Sequence, residues 1–289
     1  MVMTKTESNL NFDSESQETH DPELYSAAGF AEPIYTLDAF DEAALARYLR
    51  DGYLAIENAF NPSEVREALS ALEDLVMGRR EGYDGITFES KARDLLPTLP
   101  LANRLDAVRK FWKFTDYEPR LNAVAHHPKL VNVLRRILKG PPVLFQDMAL
   151  IKPPNIGREK PWHQDHAYFD FPIGTRIAGV WIALDEATLE NGCMRVLSGA
   201  HREGPRLHFK KRDWQICDAE MAGCKPIAVP LRPGGLMLFD PLLPHGTPTN
   251  HSAKRRRALQ FHYHEESAKK GTAEERLSVF GSEGKNVTC

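Results

Sequence analysis

The chain reads as an α+β protein whose β portion is a sandwich or jelly roll. Three observations predict this. Helical patterning dominates from Leu37 to Leu138 and is stopped by Lys139-Gly140-Pro141-Pro142. From Val143 to His264 the apolar residues instead form short runs rich in branched and aromatic side chains, punctuated by turn signals such as Asn191-Gly192 and Pro233-Gly234-Gly235. Neither a GxGxxG nor a Walker motif is present, so the common nucleotide cradles of parallel α/β sheets are missing.

In chain order, Asp38 or Asp41 caps a helix running to about Arg50, with Leu45 and Leu49 one turn apart. Asp51-Gly52 turns the chain and Tyr53–Ile56 reads as a strand. Asn61-Pro62-Ser63-Glu64 starts a second helix, with proline near the first helical position. Val65, Leu69, Leu72, Leu75 and Val76 form its apolar stripe to about Arg79. Residues 84–104 lose the period and read as loop with short turns, and 105–138 regain it, broken near Tyr117-Glu118-Pro119. Strands are then expected at Val143–Ile151, Trp162–Phe171, Thr175–Leu184, Cys193–Leu197, Ile227–Leu231, Leu236–Phe239 and Arg255–His264.

The ends differ from this body. Glu7, Asp13, Glu15, Glu18, Asp21 and Glu23 stand against Lys5 alone, so residues 1–25 are expected to form a flexible acidic tail. Residues 269–289 are charged, weakly patterned and expected to be a polar tail. Between them, 26–268 is read as one domain, helix-rich over 37–140 and jelly roll over 143–264. The chain's 289-residue length suits a single core without staples.

Composition excludes several functions. A net charge of -3 is not the footprint of a nucleic-acid binder. No apolar run is long enough to span a bilayer, and the N-terminus lacks a basic region followed by an apolar one, so neither a membrane anchor nor a secretory signal is expected. The cysteines at 193, 217, 224 and 289 form no CxxC pair and are read as four reduced thiols, which points to the cytoplasm.

The chemistry centres on Trp162-His163-Gln164-Asp165. On an extended backbone residues i and i+2 share a face, so His163 and Asp165 present an imidazole and a carboxylate to one point while His166 turns away. Pro244-His245-Gly246, at a distant strand end, offers a second imidazole. Two histidines and one carboxylate make the facial set of non-haem iron(II), with three coordination positions left for a bidentate 2-oxo acid and dioxygen. Such a site using 2-oxoglutarate also needs a fixed cation for the far carboxylate, a task that suits the planar fork of arginine. Arg255, Arg256 and Arg257 are consecutive. Strand phase favours Arg256, which shares a small, polar face with Ala258, Gln260 and His262. Arg257 shares the large apolar face of Leu259, Phe261 and Tyr263. On the preceding strand Gln146, Met148, Leu150 and Lys152 share a face. Gln146 is placed to hydrogen-bond a bound ligand, and Lys152 is read equally well as reaching out to solvent. His251, His262 and His264 are read as surface groups or neighbours of the ligands.

With these residues in view the chain resembles the phytanoyl-CoA dioxygenase family over about Gly52–Tyr263. The resemblance is carried by Asp51-Gly52-Tyr53-Leu54-Ala55-Ile56, Lys152-Pro153-Pro154, Trp162-His163-Gln164-Asp165 and Trp181-Ile182-Ala183-Leu184-Asp185. It continues through Glu190-Asn191-Gly192-Cys193-Met194, Ser198-Gly199-Ala200-His201, Pro233-Gly234-Gly235, His245-Gly246 and Arg256-Arg257-Ala258-Leu259. It implies a cupin-like double-stranded β-helix flanked by helices, with iron(II) at His163, Asp165 and His245. It further implies 2-oxoglutarate held by Arg256 with Thr247, and Trp181 and Met148 lining the cosubstrate. Lys110, from a helical segment, assists. The implied activity is dioxygen-dependent hydroxylation of an aliphatic C–H bond in a small molecule, with release of succinate and carbon dioxide. The presence of Asp165 disfavours halogenation, which in related enzymes needs a small residue there.

Substrate signals are weaker. Arg195, His201, Arg202, Arg206, His208, Lys210, Lys211 and Arg212, with Glu203 the sole acid between them, either attract an anionic substrate or form a solvated run. Tyr168 and Trp214 are read as substrate-facing or core aromatics. Two other readings remain: a cupin-like metal enzyme without 2-oxoglutarate, which would not need Arg256, and a binding or sensor protein that has lost turnover.

Overall fold

A computed structural model of the chain describes residues 10–14, 16, 18–281 and 289. The strands are β1 (Asn11–Phe12), β2 (Gly29–Phe30), β3 (Tyr53–Ile56), β4 (Ile86–Phe88), β5 (Val108–Trp112), β6 (Pro142–Lys152), β7 (Lys160–His163) and β8 (Ile177–Ala183). Then follow β9 (Met194–Val196), β10 (His208–Lys210), β11 (Trp214–Ile216), β12 (Ile227–Val229), β13 (Leu236–Phe239), β14 (His245–Thr247) and β15 (Arg256–Glu265). The helices are α1 (Glu42–Asp51), α2 (Pro62–Val76), α3 (Pro119–Ala125), α4 (Pro128–Leu138), α5 (Asp218–Met221) and α6 (Ala273–Phe280).

An eight-stranded sheet in the order β1-β4-β5-β6-β15-β8-β13-β3 faces a five-stranded sheet in the order β2-β12-β9-β14-β7, and β10 pairs with β11 alone. The period-2 alternation of side chains assigns each residue of the large sheet to one of two cores. Leu54, Ile56, Val180, Ile182, Leu236, Leu238, Leu259, Phe261 and Tyr263 point outward and pack with Leu72, Leu75, Leu130, Leu134 and Leu138 of α2 and α4. Their neighbours Ala55, Trp181, Ala183, Met237, Phe239 and Ala258 point inward, toward Met194, Val196, Ala228 and Val229 of the small sheet. Burial on both faces is why β8 and β13 are apolar without interruption. The result is a jelly roll with helices on one outer face.

The helix starts follow their sequence signals. Asp41 accepts from the Ala44 amide to cap α1. Asn61 and Glu64 form a reciprocal capping box at α2. Gly52 ends α1 at φ +78, where a Cβ would run into the His201 ring.

Four expectations need correction. First, part of the supposed N-terminal tail is docked: β1 pairs with β4, and Asp13 bridges Arg109 at 3.2 Å and Arg158 at 2.9 Å. Leu24 accepts from the Trp162 indole at 3.0 Å, and Tyr25 is buried and stacks on Trp162. A few well-placed contacts hold this acidic segment, which composition cannot reveal; residues 1–9, 15 and 17 lie outside the described residues. Second, Ala273–Phe280 of the C-terminal segment form α6, started by a Thr272/Glu275 capping box and anchored by the buried Phe280, while residues 282–288 lie outside the described residues.

Third, Cys217 and Cys289 are joined in a disulfide, leaving Cys193 and Cys224 as thiols. The pairing partners are 72 residues apart and meet only through tertiary structure, so the thiol argument for a reducing compartment no longer holds. Fourth, Val108–Trp112 is a strand, paired with β4 and β6, within the stretch expected to be helical, and Ile86–Phe88 is a strand within the expected loop. Buried Val108 and Phe111 give no clean alternation, so length and partners settled the matter. The β10–β11 hairpin also went unanticipated. Among the described residues no helix is long and apolar enough to cross a membrane.

Candidate metal centre

His163 closes β7, Gln164 continues extended at φ -112 and ψ 129, and Asp165 opens a short 3-10 turn, Asp165–Tyr168. One extended residue between them is enough to put His163 and Asp165 on the same side, although the strand expected to run to Phe171 ends at His163. His245 opens β14 and is the registered partner of His163. The three side chains are buried, and one donor atom from each lies within 4.8 Å of the others. Nε2 of His163 is 3.1 Å and Nε2 of His245 3.7 Å from Asp165 Oδ1.

Their neighbours orient them. Nδ1 of His163 donates to the Pro161 carbonyl at 2.7 Å and Nδ1 of His245 to the Leu243 carbonyl at 2.9 Å. On this hydrogen-bond assignment both Nε2 lone pairs are free to ligate. The second oxygen of Asp165 accepts from Gln260 Nε2 at 3.1 Å and from His262 Nε2 at 2.8 Å. Burial pushes His245 down to about 4, aided by the neighbouring His163, so it is neutral at pH 7. Burial by itself would raise the Asp165 carboxyl, but His245, His262 and the His163 hydrogen bond outweigh it and hold the group well below its usual range. His262 and Gln260 share the inward phase of Arg256, which was the available signal for them. His166 faces away, bonded to the Phe171 carbonyl at 2.9 Å.

Gln164 fastens the turn from behind. Its side chain bonds Gly204, Leu242 and Arg206 backbone groups, and its amide N–H donates to His208 Nε2 at 3.0 Å. His208 is fully buried, and burial lowers it from 6.5 to about 3. The unfolded chain therefore binds one more proton than the folded one between those values, and stability should fall as pH drops through that window. Urea melts of the metal-free protein should show about 2–3 kcal/mol lost from this group between pH 7 and 4.5. His208→Gln should flatten the profile there; an unchanged slope in the variant would contradict the assignment.

A cavity of about 410 Å³ opens from the triad between the sheets. Arg256, Thr247, Trp181, Met148, Gln146 and Lys110 all line it. The three consecutive arginines part company. Arg255 is exposed and pairs with Asp106 at 3.0 Å. Arg257 grips Asp185 through two bonds of 2.8 Å. Arg256 is 2% exposed, donates to the Leu150 carbonyl at 3.3 Å, and stands 5.3 Å over the Trp181 ring. Its Nε has no partner, and no carboxylate pairs with it among the described residues. Burial lowers it to about 10. Gln146 Oε1 and Trp181 Nε1 are likewise buried without partners among the described residues.

Other sequence readings change. Lys110 sits on β5, not on a helix. Lys152 is 3% exposed and does not reach solvent; its ammonium donates to the Arg158 and Thr247 carbonyls beside the cavity. The basic stretch 195–212 is not a cavity surface, since none of its eight cationic or histidine residues lines the cavity. Arg195 is buried against the Tyr25 and Cys193 carbonyls, Arg212 pairs with Glu159 and Asp218, and the rest are partly or fully exposed except His208. Tyr168 lines the cavity, whereas Trp214 packs with Ala167 and Phe280. Asp13, Arg109, Arg158, Lys160 and Asp213 join the lining from loops and edges that no local pattern marks.

The family model for phytanoyl-CoA dioxygenase matches residues 48–258. A Danio rerio phytanoyl-CoA dioxygenase domain-containing protein 1 is 32% identical over 155 residues, covering 50% of this chain and 53% of its own length. The Mus musculus protein of that name is 29% identical over 184 residues, covering 61% of each. The chain thus spans little more than half the length of these curated relatives. An ectoine dioxygenase of Bordetella parapertussis is 27% identical over 255 residues, 80% of this chain and 75% of that protein. Among solved structures, EctD from S. alaskensis with bound Fe superposes at a TM-score of 0.65 with 24% identity, covering 88% and 85% of the two chains. The non-heme alpha ketoglutarate dependent carbocyclase SnoK superposes at 0.64 with 20% identity, covering 88% and 96%. These likenesses establish the fold as a cupin-like double-stranded β-helix.

Proposed function

Because the chain belongs to the phytanoyl-CoA dioxygenase family, we propose that it is an iron(II)- and 2-oxoglutarate-dependent dioxygenase that hydroxylates an aliphatic C–H bond of a small molecule. The observation that carries this reading is the buried His163-Asp165-His245 cluster with Arg256, an arginine that pairs with no carboxylate among the described residues, in the same cavity.

The residues fit both groups. Iron(II) takes imidazole and carboxylate donors, and here two imidazoles and one carboxylate converge with their other polar atoms already occupied. A dicarboxylate needs a cation with no counter-charge of its own, which Arg256 supplies, along with Thr247 on the inward phase of β14. Bound iron(II) and 2-oxoglutarate, with dioxygen, supply the oxidising power for C–H cleavage and account for release of succinate and carbon dioxide.

The protein's own part is placement and exclusion. The Pro161 and Leu243 carbonyls hold both rings with Nε2 forward, and Gln260 and His262 fix the carboxylate so that Oδ1 faces them. Arg256 and Trp181 form the floor that orients the cosubstrate, and the cavity volume of 410 Å³ suits a small-molecule substrate beside it. A cupin-like metal enzyme without 2-oxoglutarate would leave Arg256 buried with nothing to offset its desolvation.

An anaerobic titration with iron(II) and 2-oxoglutarate tests this directly. A weak visible charge-transfer band should grow and saturate near one equivalent of each. Iron binding without that band would favour the cupin-like alternative, and no iron binding would favour a protein that has lost turnover.

A further inference from the structure

Asp165 is carried by a short turn, Asp165–Tyr168, whose far end, Tyr168, lines the cavity. A 3-10 turn of this length is weakly bonded within itself, so its neighbours set where the carboxylate stands. Gln260 and His262 hold the carboxylate, and the Gln164 side chain fastens the entry to the turn. Another side of the turn is held by α6, which lies beyond residues 48–258 matched by the family model.

Three residues of α6 make this contact. Arg276 Nη1 donates to the Ala167 carbonyl at 2.8 Å, and its Nε donates to Asp170 Oδ1 at 2.9 Å. The guanidinium carbon stands 5.3 Å over the Trp214 ring. Leu277 packs against the cluster of Ala167, Trp214 and Phe280. The buried Phe280 ring stacks on His166 at 5.9 Å and meets His208, which accepts the Gln164 amide, edge-on at 5.7 Å. Gly281 follows at φ +96, where a Cβ would lie 2.9 Å from the His208 carbonyl, so the chain is drawn tight against β10.

Eight residues are too few for a helix to persist in water by itself. Ala273, Glu274, Glu275, Ser278 and Val279 are exposed, so Arg276, Leu277 and Phe280 supply the order of α6. The turn receives the same contacts in return. A further tie comes from Cys289, bonded to Cys217 just past the end of β11, the strand that carries Trp214. Such a cross-link limits how far α6 can leave the turn.

We propose that α6 is a clasp on the metal-bearing turn, in which Arg276 is a positioning residue that acts on Asp165 through Ala167 and Asp170, and the Cys217–Cys289 bond keeps the clasp in place. The proposal rests on the metal reading of the triad. Arg276 is not among the residues lining the cavity. Its loss should therefore appear in iron(II) affinity and not in 2-oxoglutarate affinity once iron is bound.

The test is anaerobic iron(II) titration in competition with a chromophoric chelator, followed by 2-oxoglutarate titration at saturating iron. Arg276→Met and Phe280→Ala should bind iron(II) roughly tenfold or more weakly than wild type, the scale of groups that orient ligands. Arg276→Lys, which keeps a donor and the charge, should recover part of the loss. The paired change Cys217→Ser with Cys289→Ser should fall between wild type and Arg276→Met. In all of these, 2-oxoglutarate affinity should match wild type. Arg257→Ala controls for stability lost elsewhere and should keep wild-type iron affinity. The proposal is overturned if Arg276→Met binds iron(II) like wild type or no more weakly than Arg257→Ala. It is overturned equally if Arg276→Met loses 2-oxoglutarate affinity to the same degree. Should Arg276→Met not fold, wild-type iron affinity in the paired cysteine variant overturns it. With Arg276→Met weakened, that same result overturns the part given to the disulfide. Failure of the metal reading is distinct: wild type itself would bind no iron(II), and the clasp proposal would fall with it.

Discussion

Asp165→Ala should abolish substrate-dependent succinate release and weaken metal binding more than any other single change in the cavity. One oxygen of Asp165 faces both histidines, at 3.1 and 3.7 Å, and the other is held by Gln260 and His262. The substitution removes a ligand and its charge together, so affinity for iron(II) should fall by more than about 100-fold, beyond the 10–100-fold typical of groups that only orient ligands. His262→Phe, which removes only an orienting bond, should fall within that smaller range. Asp165→Asn keeps the volume and controls for packing, and it should lose turnover as Asp165→Ala does. Circular dichroism would establish that the variants remain folded. Succinate release at the wild-type rate in either Asp165 variant would sink the metal assignment.

Arg256→Ala should raise the 2-oxoglutarate requirement by roughly two orders of magnitude, the scale of truncating one member of a buried charge pair. Iron(II) binding should persist. Stability of the ligand-free protein should stay level or improve, because this guanidinium is 2% exposed and, among the described residues, pairs with no carboxylate. Arg257→Ala should do the opposite. It breaks the two 2.8 Å bonds to Asp185 and should cost on the order of 2–3 kcal/mol of stability, with the 2-oxoglutarate requirement unchanged. Adjacent residues with opposite phenotypes would follow from strand phase alone. A normal 2-oxoglutarate requirement in Arg256→Ala would remove this residue from the cosubstrate site.

Much of the site was legible because strand chemistry is local. His163 and Asp165 are two residues apart with one extended residue between them, and β15 sorts Arg256, Gln260 and His262 from Arg257, Leu259 and Phe261 by period alone. Errors arose where a segment's state depends on distant partners. Val108–Trp112 carries an ambiguous pattern and is a strand because β4 and β6 flank it. Asp13 looked like part of a solvated acidic run, yet it sits between two cavity arginines. The basic stretch 195–212 looked like one patch, but its charges scatter between buried pairs and solvent.

By itself, then, the sequence determined the α+β class, the capped start of α2, the inward phase of β15 and the choice of three candidate metal ligands. Each of these depends on residues close together or on a motif whose chemistry has few alternatives. Tertiary structure alone decided that His245 meets His163 across β14 and β7, that Arg256 is the one of the three consecutive arginines that pairs with no described carboxylate, and that Cys217 reaches Cys289. It also brought Lys110, Trp112 and Gln146 to the wall of one cavity. Those outcomes depend on which charges and strands are brought together by chain closure over long separations, and no local pattern encodes who a buried cation will have for company.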